Sequence, residues 1–233
     1  MRVPHISPAT VARLPIYIQG LERLLQLGVR LASSQRLAHV TGIEAAQIRR
    51  DLSYLGAFGT PGVGYDVPGL HHELSHYLGI SQVCPIALVG YGNLGSALAS
   101  SSALRERNFH IAAIFDVAPD KVGKAVGGLL IEPPSRITSV IRDLGIEIAV
   151  LATPPDAAQE LAGRLVEAGV TAILNFAPVT LRVPPHVSVR NIDVAAEMQI
   201  LSFAERMKHA QPPAFGARRA VRKHLGRQLK EKH

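Results

Sequence analysis

Gly90-Tyr91-Gly92-Asn93-Leu94-Gly95 is a G-x-G-x-x-G run that follows the apolar stretch "CPIALV" and leads into the alanine-rich "SALASS". Between a strand and a helix, the first glycine permits a tight turn, the second lets a pyrophosphate approach the backbone, and the third lets helix and strand pack closely. Phosphate charge then sits at the start of the helix, over the turn that holds Asn93 and Leu94. Asp116 closes the next apolar run, 21 residues after Gly95. A carboxylate there accepts both hydroxyls of an adenosine ribose and repels a 2′-phosphate. No Arg follows directly in "DVAPDK", so NADH/NAD+ is the expected cofactor pair, with Lys121 and Lys124 as the only hint toward NADP(H). A glycine turn that merely packs a sheet is the plainer alternative.

A second segment calls for different chemistry. "RRDLSYLGAFGTPGVGY", residues 49–65, combines adjacent arginines, aromatic rings and four glycines. On a helix from about Glu44 to Leu55, Ile48, Leu52 and Leu55 share one face. The opposite face then carries Ala46, Arg50, Ser53 and Tyr54, flanked by Gln47 and Arg49. Laid in a major groove, such a helix presents Ala46, Gln47, Arg49 and Arg50 to base edges and phosphates. The glycine-built piece through Gly59 and Thr60 suits a two-stranded wing reaching the neighbouring minor groove. A solvated basic helix on a cap domain is the competing reading.

Catalytic chemistry finds no such footing. A dehydrogenase on this fold needs a proton donor or acceptor beside the nicotinamide, and the chain has neither a Tyr-x-x-x-Lys pair nor an obvious His with a supporting carboxylate. No catalytic residue and no enzyme activity are therefore expected. His71, His72 and His76 share helical spacing with only Glu73 beside them, which reads as a solvated helix face rather than a metal site. The single Cys84 excludes an intramolecular disulfide and reads as a small buried hydrophobe.

The elements that would position these residues follow from periodicity. Val11, Leu14, Ile18, Leu21 and Leu25 recur at helical spacing and Gly28 ends the pattern. "SSQRLAHVTG" reads as a short helix capped by Ser33 or Ser34 and stopped by a turn at Thr41-Gly42, so the helix beginning near Glu44 completes a helix-turn-helix. A further helix over about Pro68 to Leu78 closes the first domain. Beyond Cys84, "HIAAIFDV", "EIAVLAT" and "TAILNFA" are near-continuous apolar runs separated by helical stretches, as in a parallel sheet covered on both faces. The fold class is α/β: an N-terminal winged helix-turn-helix domain (1–79), a Rossmann-type doubly wound parallel sheet (80–201), and a C-terminal part (202–233) holding the start of a further helix and a basic tail.

The net charge of +7 is a property of that last part. Residues 1–203 carry 16 Lys and Arg against 16 Asp and Glu, whereas residues 204–233 carry 9 against 2. Nucleic-acid binding by the folded part must therefore rest on local patches. With 47% apolar and 18% charged residues and no apolar run of bilayer-spanning length, a soluble cytoplasmic protein is expected, with no membrane partner. The first residues show no continuous apolar leader.

Both halves together resemble the Rex family of redox-sensing transcriptional repressors over about residues 4–204. The likeness is carried by "ATVARLPIY", "SSQRLA", "IRRDLSYLGAFGTPGVGY", "VGYGNLGSA", "FDVAPDKVG", "AAQELAGRLVEAGV", "ILNFAPVTLRVP" and "NIDVAAEMQILSF". The resemblance implies a homodimer that binds a pseudo-palindromic double-stranded operator DNA, senses the NADH/NAD+ ratio and is released by NADH, with a C-terminal helix exchanged between subunits. Arg49 and Arg50 would face the operator. Gly90, Gly92, Gly95 and Asp116 would hold the dinucleotide, and Thr153 and "NFAPV", with Phe176 and Pro178, would belong to the cofactor site.

The sequence also departs from that pattern. Where the family commonly has an Arg in the first helix, a Tyr soon after the glycine loop and a cation in the wing, this chain has Gln19, Ser101 and Thr60-Pro61; Asp193 remains. In the family the Asp, Arg and Tyr form a contact set that differs between redox states. Gln19, Ser101 and Asp193 are thus the expected switch positions, with a weakened response. An NAD-dependent dehydrogenase, or a CoA- or nucleotide-binding module with a DNA-binding appendage, stays open as an alternative.

Overall fold

The computed structural model describes residues 6–56, 58–60 and 62–209. The basic tail beyond residue 209 lies outside the described residues, and so does Pro61 of the wing. The chain opens with α1 (Pro8–Gln26), β1 (Leu31–Ala32), α2 (Ser34–Thr41), α3 (Ala45–Leu55), β2 (Gly59–Thr60), β3 (Gly64–Asp66) and α4 (Val67–Tyr77). The three short strands pair antiparallel in the order β1-β3-β2, so the wing is anchored to the chain ahead of α2 as well as to itself. Ser33 caps α2 by accepting from the Arg36 N–H, and Asp66 caps α4 by accepting from the Gly69 N–H.

The inward stripe of α1 differs from the expected one. Val11 is 41% exposed, and the buried positions are Thr10, Leu14, Tyr17, Leu21 and Leu24, joined by Ile18 and Gly20. Alternating steps of four and three residues hold that series on one line of the helix, whereas Val11 and Leu25 lie about a quarter turn away. The stripe packs on Leu37, Ile48, Leu52, Leu55, Leu70 and Leu74, forming one core for the whole first domain.

The second domain runs β4 (Cys84–Val89), α5 (Asn93–Ala99), α6 (Ser102–Glu106), β5 (Phe109–Phe115), β6 (Ala125–Val126), β7 (Leu129–Glu132), a 3₁₀ turn at Pro134–Arg136, α7 (Ile137–Leu144), β8 (Ile148–Leu151), α8 (Pro155–Ala168), β9 (Ala172–Asn175), β10 (Ser188–Asn191) and α9 (Val194–His209). The sheet order is β10-β9-β8-β4-β5-β7-β6, parallel throughout except for the β6–β7 hairpin. Strands β6, β7 and β10 were not among the expected runs. β6 and β10 hold few large apolar residues, and β6 and β7 turn back on each other through Gly127-Gly128.

Alternation along the strands fills both faces. Ala87, Val89, Phe115 and Leu151 pack under α7 and α8, while Ile86, Leu88, Ile114 and Val150 pack toward α5 and α6. β4 pairs with β5 on one side and β8 on the other. The connections therefore diverge at the carboxyl end of β4, the switch point where open α/β sheets form a crevice. The helix expected to start near residue 202 begins at Val194, so the boundary at 201/202 falls within α9.

Candidate nucleotide cleft and DNA-facing surface

The loops leaving β4, β5 and β8 meet at the switch point and enclose a cleft of about 280 Å³ bounded by Gly90, Gly92, Asp116, Lys121, Pro134 and Thr153. Gly90 has φ +97°, and a Cβ there would collide with the Ala152 carbonyl oxygen; one on Gly95 would collide with that of Gly90. These glycines let the loop lie against β8 and let α5 start against β4. A Cβ on Gly92 would meet nothing within 4 Å, which leaves open space beside the backbone. Asn93 and Leu94 open α5 and are exposed.

Asp116 is buried but well supplied with donors. Its Oδ1 accepts from the Ala118 N–H at 2.8 Å, and its Oδ2 accepts from the Tyr91 N–H at 2.7 Å and Lys121 Nζ at 3.3 Å. Burial alone would push this carboxyl up. The two backbone N–H groups and the ammonium outweigh it and hold the carboxyl below the usual aspartate range. Thr153 Oγ1 is buried with no hydrogen-bond partner among the described residues. An ionised carboxylate, an orphan hydroxyl and open space beside Gly92 are what a nucleotide bearing a ribose diol and phosphates would satisfy.

"NFAPV" leaves β9 at the same edge of the sheet. Phe176 is half-buried against the core cluster of Ile86, Leu88, Ile114, Ile131 and Val150, and Pro178 is exposed. The residue that shapes this loop is Asn175, the first of "NFAPV". Fully buried, its Nδ2 donates to the Ala177 and Val179 carbonyls and to Asn191 Oδ1, and its Oδ1 accepts from the Ala177 N–H.

On the first domain, Ala46, Arg49, Arg50, Ser53 and Tyr54 of α3 are exposed, with Tyr54 at 57%. Arg49 Nη1 donates to Ser34 Oγ at 2.8 Å. A groove between α3 and the wing is lined by Ser33, Ser34, Arg49, Gly59 and Thr60. Gln47 departs from the outward reading, because it is half-buried and its Nε2 donates to Asp51 Oδ1 at 2.8 Å.

Asp51, inconspicuous in the middle of "RRDLSY", is the most heavily bonded carboxylate among the described residues of the domain. At 1% exposure it accepts from Arg13 Nε at 2.6 Å and Nη2 at 2.8 Å, from Tyr17 OH at 2.6 Å, and from Thr10 Oγ1 at 3.1 Å as well as Gln47. Burial works to raise its pKa, but the donors, Arg13 foremost, bring it down to about 2. Burial in turn pushes the Tyr17 phenol well up, reinforced by the bond to Asp51. The cluster fixes α3 to α1. Tyr77 OH holds the other end of α3 by donating to the Leu55 carbonyl at 2.8 Å.

The three expected switch residues belong to different elements of the chain. Gln19 lines a cavity of about 310 Å³ between the domains, with Glu22, His71, Arg107 and Phe109. Ser101 precedes α6 and lines a separate cleft with His110 and Gly127. Asp193 is exposed and caps α9, accepting from the Ala196 N–H at 3.0 Å. His71, His72 and His76 belong to no cluster of metal-ligating residues among the described residues. No helix there is long and apolar enough to cross a membrane.

Fold and site together define a DNA-binding winged-helix protein that carries a Rossmann-type nucleotide domain. Family models agree with both halves: residues 5–53 match a putative DNA-binding protein N-terminus, and residues 82–179 match a CoA binding domain. The redox-sensing transcriptional repressor Rex of Streptomyces coelicolor is 46% identical over 209 residues, covering 90% of this chain and 81% of that protein. The Rex counterpart of Pelotomaculum thermopropionicum is 42% identical, covering 91% and 99%. Among solved structures, RSP in complex with β-NAD+ and operator DNA superposes with TM-score 0.81 at 32% identity, covering 97% of this chain and 98% of that one. The chain belongs to the Rex family of redox-sensing transcriptional repressors. Its relatives are repressors rather than enzymes, in keeping with the missing acid/base pair.

Proposed function

We propose that this protein is a homodimeric repressor that binds a pseudo-palindromic operator and releases it when NADH occupies the cleft at the switch point. The observation that carries the reading is one chain holding both an exposed arginine-bearing α3 and a cleft with a buried, ionised Asp116. RSP, the structural relative, has been solved with β-NAD+ and operator DNA and, separately, with β-NADH.

In this reading Arg49 and Arg50 contact the operator, Ser53 and Tyr54 line the same face, and Gly59 and Thr60 bring the wing to the minor groove. Gln47 supports α3 through Asp51 rather than reading a base. Asp116 accepts from the ribose, the backbone beside Gly92 faces the diphosphate, and Thr153 donates its free hydroxyl to the ligand. Phe176 and Pro178 border the nicotinamide, the reducible group supplied by the cofactor.

α9 supports the dimer. Val194, Met198, Leu201, Phe203 and Met207 are each about 60% exposed in the single chain, more apolar surface than one helix leaves to water. A two-fold dimer presents two identical α3 helices, which is why the operator is expected to be pseudo-palindromic. The protein acts in the cytoplasm, where bacterial DNA lies.

Titration of the purified protein with NADH, NADPH and CoA tests the ligand. Tightest binding of NADH supports the reading. Tightest binding of CoA, whose adenosine carries a 3′-phosphate that Asp116 would repel, would move the second domain to the activity its family model describes.

A further inference from the structure

We infer that Lys121 is a specificity-determining residue of the cleft: it masks Asp116 in the free protein and turns to the ligand's phosphate on binding, so that a nucleotide is preferred over a nucleoside. The inference rests on the nucleotide reading above. It begins with the lone pairs of one carboxylate. Asp116 already accepts from the Ala118 N–H, the Tyr91 N–H and Lys121 Nζ. A carboxylate offers about four acceptor positions. Two ribose hydroxyls arriving at a carboxylate that already holds three donors compete with them for its lone pairs, and the most weakly held donor gives way.

Only one of the three is free to do so. The Tyr91 N–H belongs to the glycine loop and the Ala118 N–H to the turn after β5, and withdrawing either would dismantle the cleft itself. Lys121 is a flexible side chain, 33% exposed, and its 3.3 Å contact is the longest of the three. It also has somewhere to go. Lys121 lines both the Asp116 cleft and the adjoining groove formed by Tyr91, Gly92, Asn93, Ser96 and Lys124, and Gly92 is common to the two. A short swing takes the ammonium from the carboxylate to the space beside the Gly92 backbone, where a diphosphate would lie.

The exchange is selective because of what each ligand returns to the lysine. A ligand with phosphates replaces the Lys121–Asp116 ion pair with a Lys121–phosphate pair, so a charge-assisted contact is kept. A ligand without phosphates breaks the ion pair and returns nothing. Lys121 therefore opposes nucleosides and favours nucleotides, and its removal shifts the two affinities in opposite directions. A residue that only holds the loop in shape would lower both.

The test is calorimetric titration of the full-length protein and of Lys121→Met with adenosine and with ADP-ribose, beside Lys121→Arg. Methionine keeps the stem of this partly exposed side chain, and the arginine variant retains a cation if the methionine variant misfolds. Lys121→Met should bind ADP-ribose about tenfold more weakly and adenosine several-fold more tightly, while Lys121→Arg keeps the parent's preference. Equal weakening of both ligands, or no change in either, overturns the masking role while leaving the nucleotide site intact. A parent protein that binds neither ligand overturns the nucleotide reading itself.

Discussion

Replacing Arg13 with Met should loosen the recognition helix from α1 and destabilise the winged-helix domain by several kcal/mol. The substitution keeps the aliphatic stem but removes two of the five hydrogen bonds that Asp51 accepts, together with its countercharge. A buried carboxylate deprived of its partner costs roughly 3–5 kcal/mol. The acid side gives a similar scale. The carboxyl sits at about 2 against an ordinary 3.8, which at ~1.36 kcal/mol per pH unit is about 2.5 kcal/mol of preference for the ionised form.

The sign follows from the depressed value. This stabilisation is complete above the unfolded carboxyl's pKa and is lost as pH falls through the folded one, so the parent should weaken between about pH 4 and 2. In Arg13→Met the carboxyl loses its strongest donor and burial raises its pKa, which moves the acid transition to higher pH. Urea unfolding followed by tyrosine fluorescence is the assay, since four of the five tyrosines (Tyr17, Tyr54, Tyr65 and Tyr77) lie in this domain. Arg13→Met with Asp51→Asn should recover part of the loss, because no buried charge is then left unpaired. A single mutant within about 1 kcal/mol of the parent, with an unmoved acid transition, would show that the cluster does not hold α3.

Asp116→Ala should weaken NADH binding about ten- to a hundredfold, the loss of a charge-assisted hydrogen bond, while operator affinity without nucleotide is kept; equal NADH affinity would remove Asp116 from the site. Arg49→Ala with Arg50→Ala should abolish retention of a selected operator duplex and leave NADH affinity intact, and unchanged DNA binding would move the interface off α3. Gln19 and Ser101 offer neutral hydrogen bonds where a cation and a phenol are common in the family, and neutral bonds are about half as strong as charge-assisted ones. Gln19→Arg with Ser101→Tyr should therefore widen the difference between NADH and NAD+ in operator release, and a narrower difference would take these two positions out of the switch.

What the sequence disclosed about the fold depended on how far each element is specified by its own residues. Gly90, Gly92, Gly95 and Asp116 were legible because a strand-turn-helix with a carboxylate at the next strand end constrains residue type at each position. The α3 face was legible because Ile48, Leu52 and Leu55 mark the buried side. Asp51 was not, since an aspartate between Arg50 and Leu52 looks like a solvated neighbour until Thr10, Arg13 and Tyr17 arrive from a helix some forty residues earlier. Gln47, at the edge of the outward face, is half-buried because it donates to Asp51 one turn further along the same helix. Asn175 shapes the loop carrying Phe176 and Pro178 through local bonds to Ala177 and Val179 and one to Asn191, which only the β9–β10 pairing brings beside it. The α1 stripe shares Leu14, Ile18 and Leu21 with the expected one and differs at its edges, because Val11 and Leu25 are apolar yet lie at its margin, while Thr10 is polar yet buried against Asp51.

The central claim is that one chain couples nucleotide state to DNA affinity, and linkage makes it measurable. A ligand that lowers operator affinity a hundredfold must itself bind the DNA-bound protein a hundredfold more weakly, about 2.7 kcal/mol of coupling. The direct measurement is fluorescence anisotropy of a labelled duplex, selected by the protein from a random pool, across a range of NADH:NAD+ ratios at fixed salt. The account predicts that the duplex is released as the ratio rises and is retained with NAD+ alone. Operator affinity that stays constant over the whole range would contradict it.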